Sequence, residues 1–282
     1  MKQIYKIFEA VSGIYKLVNK QQVIKVPAAG KLRFLQKTPV VGDNVIMENN
    51  QIVEILDRQN FFIRPKVANV DQIFIFMSIK QPKFSSFLVD KYMAIIEEKQ
   101  IEPVLCISKI DLDEENARKW ANKYQNLGYH VILINNNSPN YLNKIEEITA
   151  NKYNLFMGQS GVGKTTTLNN IGNFNYQTQE ISKALGRGKH TTRTVSIIKI
   201  KKGWLIDTPG FSSLDLNLTQ IQLAHSYKCF YNWSKLCKFR SCLHQNEAIN
   251  DCAIKQKLRD GVLPEFRYKN YLKLLSQLNE GK

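Results

Sequence analysis

The chain has 282 residues, of which 43% are hydrophobic and 23% charged, a composition that allows two or three domains with buried cores. No apolar run approaches the roughly 20 residues that a membrane-spanning helix needs, and the first residues lack the apolar stretch of a secretory signal. These features argue against a membrane or exported protein and predict a cytoplasmic one with no membrane partner.

The net charge of +16 is distributed unevenly along the chain. Residues 67–150 carry 9 basic and 11 acidic side chains, a net charge of −2, whereas residues 1–66, 151–215 and 216–282 each carry +6. A positive excess at both ends and in one central stretch is typical of a protein with a large polyanionic partner. The pattern favours a nucleic acid, and a solvated surface without a partner is the alternative.

Residues 1–66 show short apolar segments separated by glycine-containing turns. Strands are predicted at Ile14–Val18, Val23–Val26, Leu32–Leu35 and Asn44–Met47. About five strands in about 60 residues suit a small β-barrel, for which the OB fold is the commonest candidate. The alternative is an SH3-like or irregular β module.

Residues 67–215 alternate apolar strands with helices, which predicts a three-layer α/β domain. The first strand, Val70–Met77, is apolar almost throughout, as are strands that parallel sheets bury on both faces. The other predicted elements are helix Phe87–Lys99, strand Val104–Ile107, helix Glu114–Leu127, strand His130–Ile134, helix Leu142–Ala150 and strand Tyr153–Met157.

The segment that follows Met157 fits the phosphate-binding pattern G-x-x-x-x-G-K-[ST] between a strand and a helix. Glycines allow the backbone to turn tightly, so that its N–H groups point at phosphate oxygens. Lys164 is predicted to place a cation against the β- and γ-phosphates, and Thr165 to offer its hydroxyl to Mg²⁺. The predicted nucleotide-binding residues here are Gly158, Gln159, Ser160, Gly161, Val162, Gly163, Lys164, Thr165 and Thr166.

A second motif distinguishes the two purine bases. Ser108, Lys109 and Asp111 stand in a loop after an apolar strand, where GTPases have Asn-Lys-x-Asp. The Asp111 carboxylate can accept hydrogen bonds from N1–H and N2–H₂ of guanine, whereas adenine would leave it unpaired, so GTP is predicted. Because Ser108 replaces the usual Asn, a weaker contact bracing the loop is expected. The last loop of the guanine pocket is expected at residues 135–138, with no residue assigned.

A third motif, Asp207-Thr208-Pro209-Gly210, follows the strand Gly203–Ile206. Asp207 is predicted to hold Mg²⁺ through water, and the N–H of Gly210 to bond the γ-phosphate; an ordinary turn is the alternative. The next residue, Phe211, cannot orient the attacking water as the glutamine of Ras-type enzymes does. Intrinsic hydrolysis is therefore expected to be slow.

The stretch Gly186–Thr194 lies where a first switch loop belongs, between the phosphate-loop helix and the strand Val195–Ile200. Thr192 is predicted to complete the Mg²⁺ shell, with Thr191 as the alternative. His190 is a candidate for positioning the water, because imidazole can hydrogen-bond water at neutral pH. An exposed or RNA-facing histidine is the equal alternative. The predicted catalytic residues are His190, Lys164 and Thr192.

Four of the five cysteines lie between positions 229 and 252. Cys237, Cys242, His244 and Cys252 would supply three thiolates and one imidazole, a complete tetrahedral set for a structural zinc ion. Cys229 is the alternative to Cys252, and buried free thiols are the alternative to a metal. Lysines and aromatic residues around the cluster suit RNA binding, and a terminal helix is predicted at residues 264–278.

The order of the motifs is unusual, because the guanine loop precedes the phosphate loop and ordinary GTPases have the reverse order. A circular permutation would produce it. This order, together with Asn69–Gln72, Gly186–Thr192 and the C-terminal Cys/His cluster, resembles the RsgA (YjeQ) family of circularly permuted, ribosome small-subunit-dependent GTPases. The resemblance spans nearly the whole chain.

The resemblance implies an OB-fold RNA-binding domain at residues 1–66, a circularly permuted P-loop GTPase domain at 67–215 and a mostly helical zinc-binding domain at 216–282. It implies one structural Zn²⁺, Mg²⁺ with GTP, hydrolysis to GDP and phosphate, and a monomer that binds rRNA of the small ribosomal subunit and assists its late maturation. The family usually has Glu-Pro-Gly before the last cysteine, where Ala248–Asp251 stands here. The alternative function is an RNA-binding assembly factor with GTP as a structural ligand and little turnover.

Overall fold

The computed structural model describes residues 3–138, 140–172, 195–208 and 211–280. The strands in these ranges are β1 (Ile4–Val11), β2 (Ile14–Val18), β3 (Val23–Pro27), β4 (Asn44–Glu48), β5 (Gln51–Ile55), β6 (Phe61–Phe62), β7 (Val67–Ala68), β8 (Gln72–Ser78), β9 (Glu102–Ser108), β10 (His130–Ile134), β11 (Tyr153–Gly158), β12 (Ser196–Ile200) and β13 (Gly203–Asp207). The helices are α1 (Gly30–Phe34), α2 (Ser86–Glu98), α3 (Glu114–Gln125), α4 (Leu142–Thr149), α5 (Lys164–Gly172), α6 (Gln220–Ala224), α7 (Lys228–Ser234), α8 (Ala253–Arg259) and α9 (Glu265–Glu280).

The chain divides into two compact units. The first unit comprises Met1–Phe74, Asn135–Met157 and Gly163–Phe211, and the second comprises Ile75–Ile134, Gly158–Val162 and Ser212–Lys282. The division into domains at residues 1–66, 67–215 and 216–282 stays a prediction. None of the helices in the described ranges combines the length and apolarity needed to span a bilayer.

The first unit opens with a β-barrel. β1 pairs antiparallel with both β2 and β4, β2 pairs with β3, and β4 pairs with β5. A bridge between Ala28 and Ile52 joins the two ends of this strand series. Ile7, Leu17 and Ile52 lie fully buried inside. The predicted five-stranded barrel of the OB type is thereby confirmed.

The strand predicted at Leu32–Leu35 is wrong, because Leu32–Phe34 lie in helix α1 and Leu35 lies in the turn that follows it. The N–H of Leu35 donates to the carbonyl oxygen of Lys31 at 3.1 Å. Leu32 is buried, whereas Phe34 is 88% exposed. A strand would place these two side chains on one face, while a helix turns them about 200° apart. The apolar run thus reflects one inward residue and two outward ones.

The barrel continues into the strands that carry the phosphate loop and the third motif. Glu9 of β1 pairs with Ser196 of β12, and β12 pairs antiparallel with β13. β13 runs parallel to β11 in the register Tyr153↔Trp204. β6 and β7 form a separate hairpin. Asp207, at the end of β13, therefore belongs to a sheet that extends back to the first strand of the barrel.

The second unit contains the parallel strands β9 and β10, paired from Val104↔His130 to Ser108↔Ile134. β8, which neighbours β9, is buried at all seven positions, as predicted for a strand covered on both faces. Helix α2 begins after Ser85, whose side chain accepts from the N–H of Leu88. The predicted mixed α/β fold and the helical C-terminal region are confirmed.

A buried ion pair joins the C-terminal helix α9 to α2. Nη1 of Arg267 donates to Oδ1 of Asp90 at 3.0 Å, and both side chains are fully buried. Arg267 also donates to the hydroxyl of Tyr129, and its guanidinium lies 4.2 Å from the ring centroid of Tyr227. Removing one member would leave the other charge buried and unpaired, at a cost of about 3–5 kcal/mol. This contact fixes the position of α9 within the second unit.

Candidate functional site

The phosphate loop leaves the carboxyl end of β11 at Gly158, in the second unit. A Cβ atom on Gly158, where φ is +148°, would lie 2.4 Å from the carbonyl oxygen of Phe76. Only glycine allows two backbones to approach so closely. Gln159 is half-buried, and Ser160 and Gly161 are exposed. The loop then leads into α5, so the strand–loop–helix context that the motif requires is present.

The guanine loop contacts the phosphate loop within the second unit. The hydroxyl of Ser108, at the carboxyl end of β9, donates to the carbonyl oxygen of Val162 at 2.6 Å. Both residues are buried. We expected a weaker brace from a serine in this position, but the hydroxyl reaches the opposite loop directly. The structure thus brings together two segments that lie far apart in the sequence.

The rest of the guanine loop leaves one carboxylate available. Lys109 adopts a left-handed conformation with φ +55°, and its ammonium donates to the carbonyl oxygen of Gln81 at 2.6 Å. A 3₁₀ turn follows at Ile110–Leu112. Asp111 is exposed and makes no hydrogen bond or ion pair with the residues that the structure describes. Its oxygens are therefore able to accept hydrogen bonds from a ligand.

The second half of the phosphate loop begins at Gly163 in the first unit. Lys164 is the first residue of α5, and its Nζ lies 3.5 Å from the carbonyl oxygen of Phe211. Burial lowers the pKa of Lys164 to about 8. Thr165 is half-buried and Thr166 exposed. Lys164 is thus a partly desolvated cation, which strengthens its attraction to a phosphate.

Affinity for GTP is expected to fall as the pH rises above about 8, the pKa of Lys164 in the free protein. Phosphate oxygens bind the charged ammonium, so the pKa of Lys164 should be higher in the complex. Below this pH the free lysine already carries its proton. Above it, binding must take up one proton, and affinity should fall by about tenfold per pH unit. Calorimetric titration in buffers of different ionisation enthalpy measures this proton uptake.

Lys164→Arg is the matched control, because a guanidinium stays charged throughout this pH range. The arginine protein is expected to take up no proton on binding GTP, whatever its absolute affinity. If both proteins showed the same proton uptake, the proton would belong to the nucleotide and the role given to Lys164 would be wrong.

Asn136 is a candidate site residue that sequence analysis missed. Its Nδ2 donates to the carbonyl oxygen of Gly163 at 3.4 Å, and its Oδ1 accepts from the hydroxyl of Thr167 at 3.1 Å. The Tyr141 hydroxyl donates to the same oxygen. Asn136 therefore braces the start of α5 from the loop after β10. The run of three asparagines gave no basis for choosing one, because all three offer the same groups.

The third motif is described only in part. Asp207 is the last residue of β13, and its side chain is 8% exposed. It stands at a strand end, where the sequence placed it. Four residues with predicted roles lie outside the described ranges, namely His190, Thr191, Thr192 and Gly210.

Three cysteines and one histidine converge in the second unit. The ligand atoms of Cys237, Cys242, His244 and Cys252 all lie within 4.8 Å of one another. Nδ1 of His244 lies 3.8, 3.2 and 3.4 Å from the sulfur atoms of Cys237, Cys242 and Cys252. A tetrahedral zinc ion would hold sulfur and nitrogen about 3.6 Å apart. The four side chains therefore fit one zinc ion.

Cys229, the alternative fourth ligand, does not belong to this group. It is half-buried on α7, where burial raises the pKa of its thiol. Cys252 is fully buried and lies with the other three residues. Cys252 thus lies in the cluster although Ala248–Asp251 stands where the family usually has Glu-Pro-Gly.

The surroundings prepare His244 as a ligand. Its Nε2 donates to the carbonyl oxygen of Ala224 at 3.3 Å, which leaves Nδ1 unprotonated and directed at the sulfur atoms. Burial lowers the pKa of His244 to about 4, so the ring is neutral at physiological pH, as metal binding requires. Burial raises the pKa of the Cys242 and Cys252 thiols. A nearby cation would be needed to hold them as thiolates.

Helix α9 supports the loop that carries these ligands. The hydroxyl of Tyr268 donates to the carbonyl oxygen of His244, and that of Tyr271 to the carbonyl oxygen of Leu243, both at 2.6 Å. The Glu247 carboxylate accepts from the N–H of Leu243 at 2.7 Å. The backbone of the loop is thus fixed from outside the cluster. With four protein ligands there is no open coordination position for chemistry.

Comparisons with known proteins agree with this geometry. A sequence profile described as RsgA GTPase matches residues 55–217. A Mycoplasmopsis agalactiae protein named small ribosomal subunit biogenesis GTPase RsgA is 51% identical over 281 residues, which cover 98% of this chain and 99% of that protein. A Bacillus subtilis protein of the same name is 38% identical over an alignment of 293 positions, and the match covers 98% of each chain.

Two solved structures share the fold over almost the whole length. YloQ, described as a circularly permuted GTPase, is 33% identical with a TM-score of 0.82, and the match covers 100% of this chain and 96% of YloQ. YjeQ from Thermotoga maritima is 28% identical with a TM-score of 0.82, and the match covers 99% of each chain. The motif order inferred from the sequence is therefore that of a permuted fold.

Proposed function

The chain belongs to the RsgA GTPase family, and on that premise we propose that it hydrolyses GTP on the small ribosomal subunit and assists the late maturation of that subunit. The relatives carry this activity in their names, and the similarity covers both ends of the chain. It is thus a GTP hydrolase that makes GDP and phosphate, and the subunit is proposed to stimulate it.

One observation carries the assignment of the nucleotide. The hydrogen bond of 2.6 Å from Ser108 to Val162 places the guanine loop beside the phosphate loop. A single nucleotide can therefore reach the exposed carboxylate of Asp111 with its base and the backbone after Gly158 with its phosphates. The permuted sequence order is compatible with one site because the two loops meet in space.

We assign roles to the residues of this site as follows. Asp111 would select guanine, Ser108 and Lys109 would hold the guanine loop, and Lys164 would neutralise the phosphates. The N–H groups and side chains of the phosphate loop would bind the phosphate oxygens at Gly158, Gln159, Ser160, Gly161, Val162, Gly163, Thr165 and Thr166.

Mg²⁺ would be held by the Thr165 hydroxyl and by Asp207, with Thr192 as a third contact. Bound there, it would neutralise the charge that develops on the phosphates. Gly210 would bond the γ-phosphate, and His190 would position the attacking water. Phe211 is buried and its carbonyl oxygen lies 3.5 Å from Nζ of Lys164, but its side chain has no group that can hydrogen-bond water. A water-positioning group must therefore come from elsewhere.

One structural zinc ion is proposed at Cys237, Cys242, His244 and Cys252, on the fit described above. It would stabilise the C-terminal region and take no part in hydrolysis. The basic N- and C-terminal segments are proposed to contact rRNA, because counterion release favours such surfaces on a polyanion. We further propose a monomer that works in the cytoplasm, where its partner is assembled.

The deciding experiment is a GTPase titration with purified small ribosomal subunits. Phosphate release is expected to be slow for the free protein and to rise at least about 10²-fold at saturation, a range that completed GTPase sites reach. Lys164→Ala is the control that should bind no nucleotide. If turnover instead stayed at the rate of the free protein while the protein still bound subunits and GTP, the result would favour the alternative function, an RNA-binding assembly factor with GTP as a structural ligand.

The same titration tests His190. A His190→Ala protein should bind GTP and subunits normally and lose most of the stimulated rate. Unchanged stimulated turnover would remove His190 from the mechanism and leave the proposed function intact.

A further inference from the structure

A cleft of about 430 Å³ lies in the first unit, outside the nucleotide-binding loops. One side is formed by residues 38–41, before β4, and another by the turn Ile63–Lys66 between β6 and β7. Val195 and Thr208 complete it at the start of β12 and the end of β13. The cleft therefore joins the barrel to the strand that ends in Asp207.

The walls of the cleft are held rigidly. Nε and Nη2 of Arg58 donate to the two carboxylate oxygens of Asp43 at 2.7 and 2.8 Å, and Nη2 also donates to the carbonyl oxygen of Thr38 at 2.9 Å. The buried Asp43 in turn accepts from the N–H of Val40 at 2.8 Å. The N–H of Ala68 donates to the carbonyl oxygen of Val41 and so ties the hairpin to this wall. The cleft is thus a preformed feature, which lowers the entropic cost of binding.

Among the described residues, those that line the cleft give it a positive charge. Arg64 and Lys66 are exposed, and neither forms an ion pair with another residue of the described ranges. No acidic side chain in the described part of the chain lines the cleft. Beside these cations Ile63 is 71% exposed. Two exposed cations next to an apolar side chain suit single-stranded RNA, because the cations can contact its phosphates and the apolar side chain can pack against a base.

The position of the cleft links it to the nucleotide motifs. Thr208 directly follows Asp207, the residue proposed to hold Mg²⁺. Asp207 pairs with Ser196, which pairs in turn with Glu9 of the barrel. A ligand in the cleft would touch both the barrel and the first residue after the Mg²⁺ ligand.

We propose that this cleft binds the sugar–phosphate backbone of ribosomal RNA and thereby couples RNA binding to GTP hydrolysis through Thr208. The inference rests on the proposed function, because it presumes that the small subunit stimulates turnover. Arg64 and Lys66 contact the phosphates, and Ile63 packs against a base. The subunit thus acts on the third motif at the residue next to Asp207.

The test is the double variant Arg64→Ala/Lys66→Ala, assayed for subunit binding and for GTP turnover. Its affinity for subunits should fall at least about tenfold, and the slope of log affinity against log salt should become smaller by about one to two, as expected when two phosphate contacts are lost. Stimulated turnover at saturating subunits should also fall, because the RNA backbone would no longer be held in contact with Thr208. Turnover of the free protein should not change, since both side chains lie outside the nucleotide site.

Two further proteins make the result specific. Lys20→Ala/Lys25→Ala removes the same charge from exposed positions of the same barrel that do not line the cleft. It should keep the stimulated rate at saturation. Arg64→Lys/Lys66→Arg keeps both charges and should restore binding and stimulation. If the alanine variant were stimulated like wild type, or no more impaired than Lys20→Ala/Lys25→Ala, the inference would be wrong.

A photo-reactive phenylalanine analogue at the exposed position Ile63 identifies the ligand directly. A crosslink to rRNA in the small subunit supports the proposal, and a crosslink to ribosomal protein alone, or none, overturns it. The wild-type measurement distinguishes a failure of the proposed function from a failure of the cleft proposal. If subunits did not stimulate wild type, the proposed function would fail, whereas normal wild-type stimulation with an unaffected cleft variant would refute the cleft alone.

Discussion

Replacing Asp111 with asparagine is expected to weaken GTP binding by about 10²–10⁴-fold. The carboxylate would lose two charge-assisted hydrogen bonds to N1–H and N2–H₂ of guanine, each worth about 1.5–3 kcal/mol, and every 1.4 kcal/mol corresponds to about tenfold in affinity. The NH₂ group of asparagine would also face the N–H groups of guanine, and two donors cannot hydrogen-bond to each other. Xanthine carries a carbonyl in place of the amine, so the variant should bind xanthosine triphosphate better than GTP.

Equilibrium titrations with both nucleotides measure this exchange of preference. Asp113→Asn is the matched control, because it removes the same charge two positions later. Asp113 caps α3 by accepting from the N–H of Asn116, and asparagine caps helices equally well. This control should keep the wild-type preference. If Asp111→Asn bound GTP as tightly as wild type, or if wild type bound ADP as tightly as GDP, the guanine assignment would be lost.

Removing the zinc ion is expected to unfold the region around the Cys/His cluster. In small zinc domains the metal contributes on the order of 10–16 kcal/mol, which matches or exceeds the net stability of about 5–15 kcal/mol of a typical domain. Cys252→Ser replaces a buried thiol of the proposed zinc site and should abolish stoichiometric zinc. Elemental analysis counts the bound metal, and circular dichroism on heating follows the loss of helix.

Cys229→Ser provides the matched control, since it changes the same atom in a neighbouring cysteine outside the cluster. It should retain one zinc ion per chain and melt close to wild type. If Cys252→Ser kept its zinc and Cys229→Ser lost it, the fourth ligand would be Cys229 and not Cys252. Zinc in neither the wild type nor the control would show that the cluster holds free thiols.

The motifs and the overall order of elements could be predicted because local chemistry determines them. The phosphate loop was visible because its glycines, lysine and threonine stand at fixed spacing within one short segment between a strand and a helix. β8 is buried at every position, so its apolar run was unambiguous. The convergence of Cys237, Cys242, His244 and Cys252 could be predicted because few other arrangements use three cysteines and a histidine so close together.

What the sequence did not reveal depends on contacts between distant segments. Helix α1 at Gly30–Phe34 could not be predicted, because the apolar run Leu32–Leu35 is too short to distinguish the period of a helix from that of a strand. Nothing in the sequence singled out Asn136 among its neighbours or paired Ser108 with Val162, since both contacts form only when separate loops meet. The pairing of Arg267 with Asp90 was equally invisible, because buried charges are rare and carry no local signature.

Helix α9 determines how a truncation of the C-terminus would affect the protein. Arg267 anchors this helix on α2, and Tyr268 and Tyr271 hold the backbone of Leu243 and His244 in the Cys/His cluster. A stop codon at Glu265 would leave every residue of the proposed nucleotide and zinc sites encoded. It would nevertheless remove the counterion of Asp90 and the two tyrosines that hydrogen-bond the backbone of Leu243 and His244. Such an allele should behave as a loss of the whole second unit, although it spares every residue proposed to bind the nucleotide or zinc.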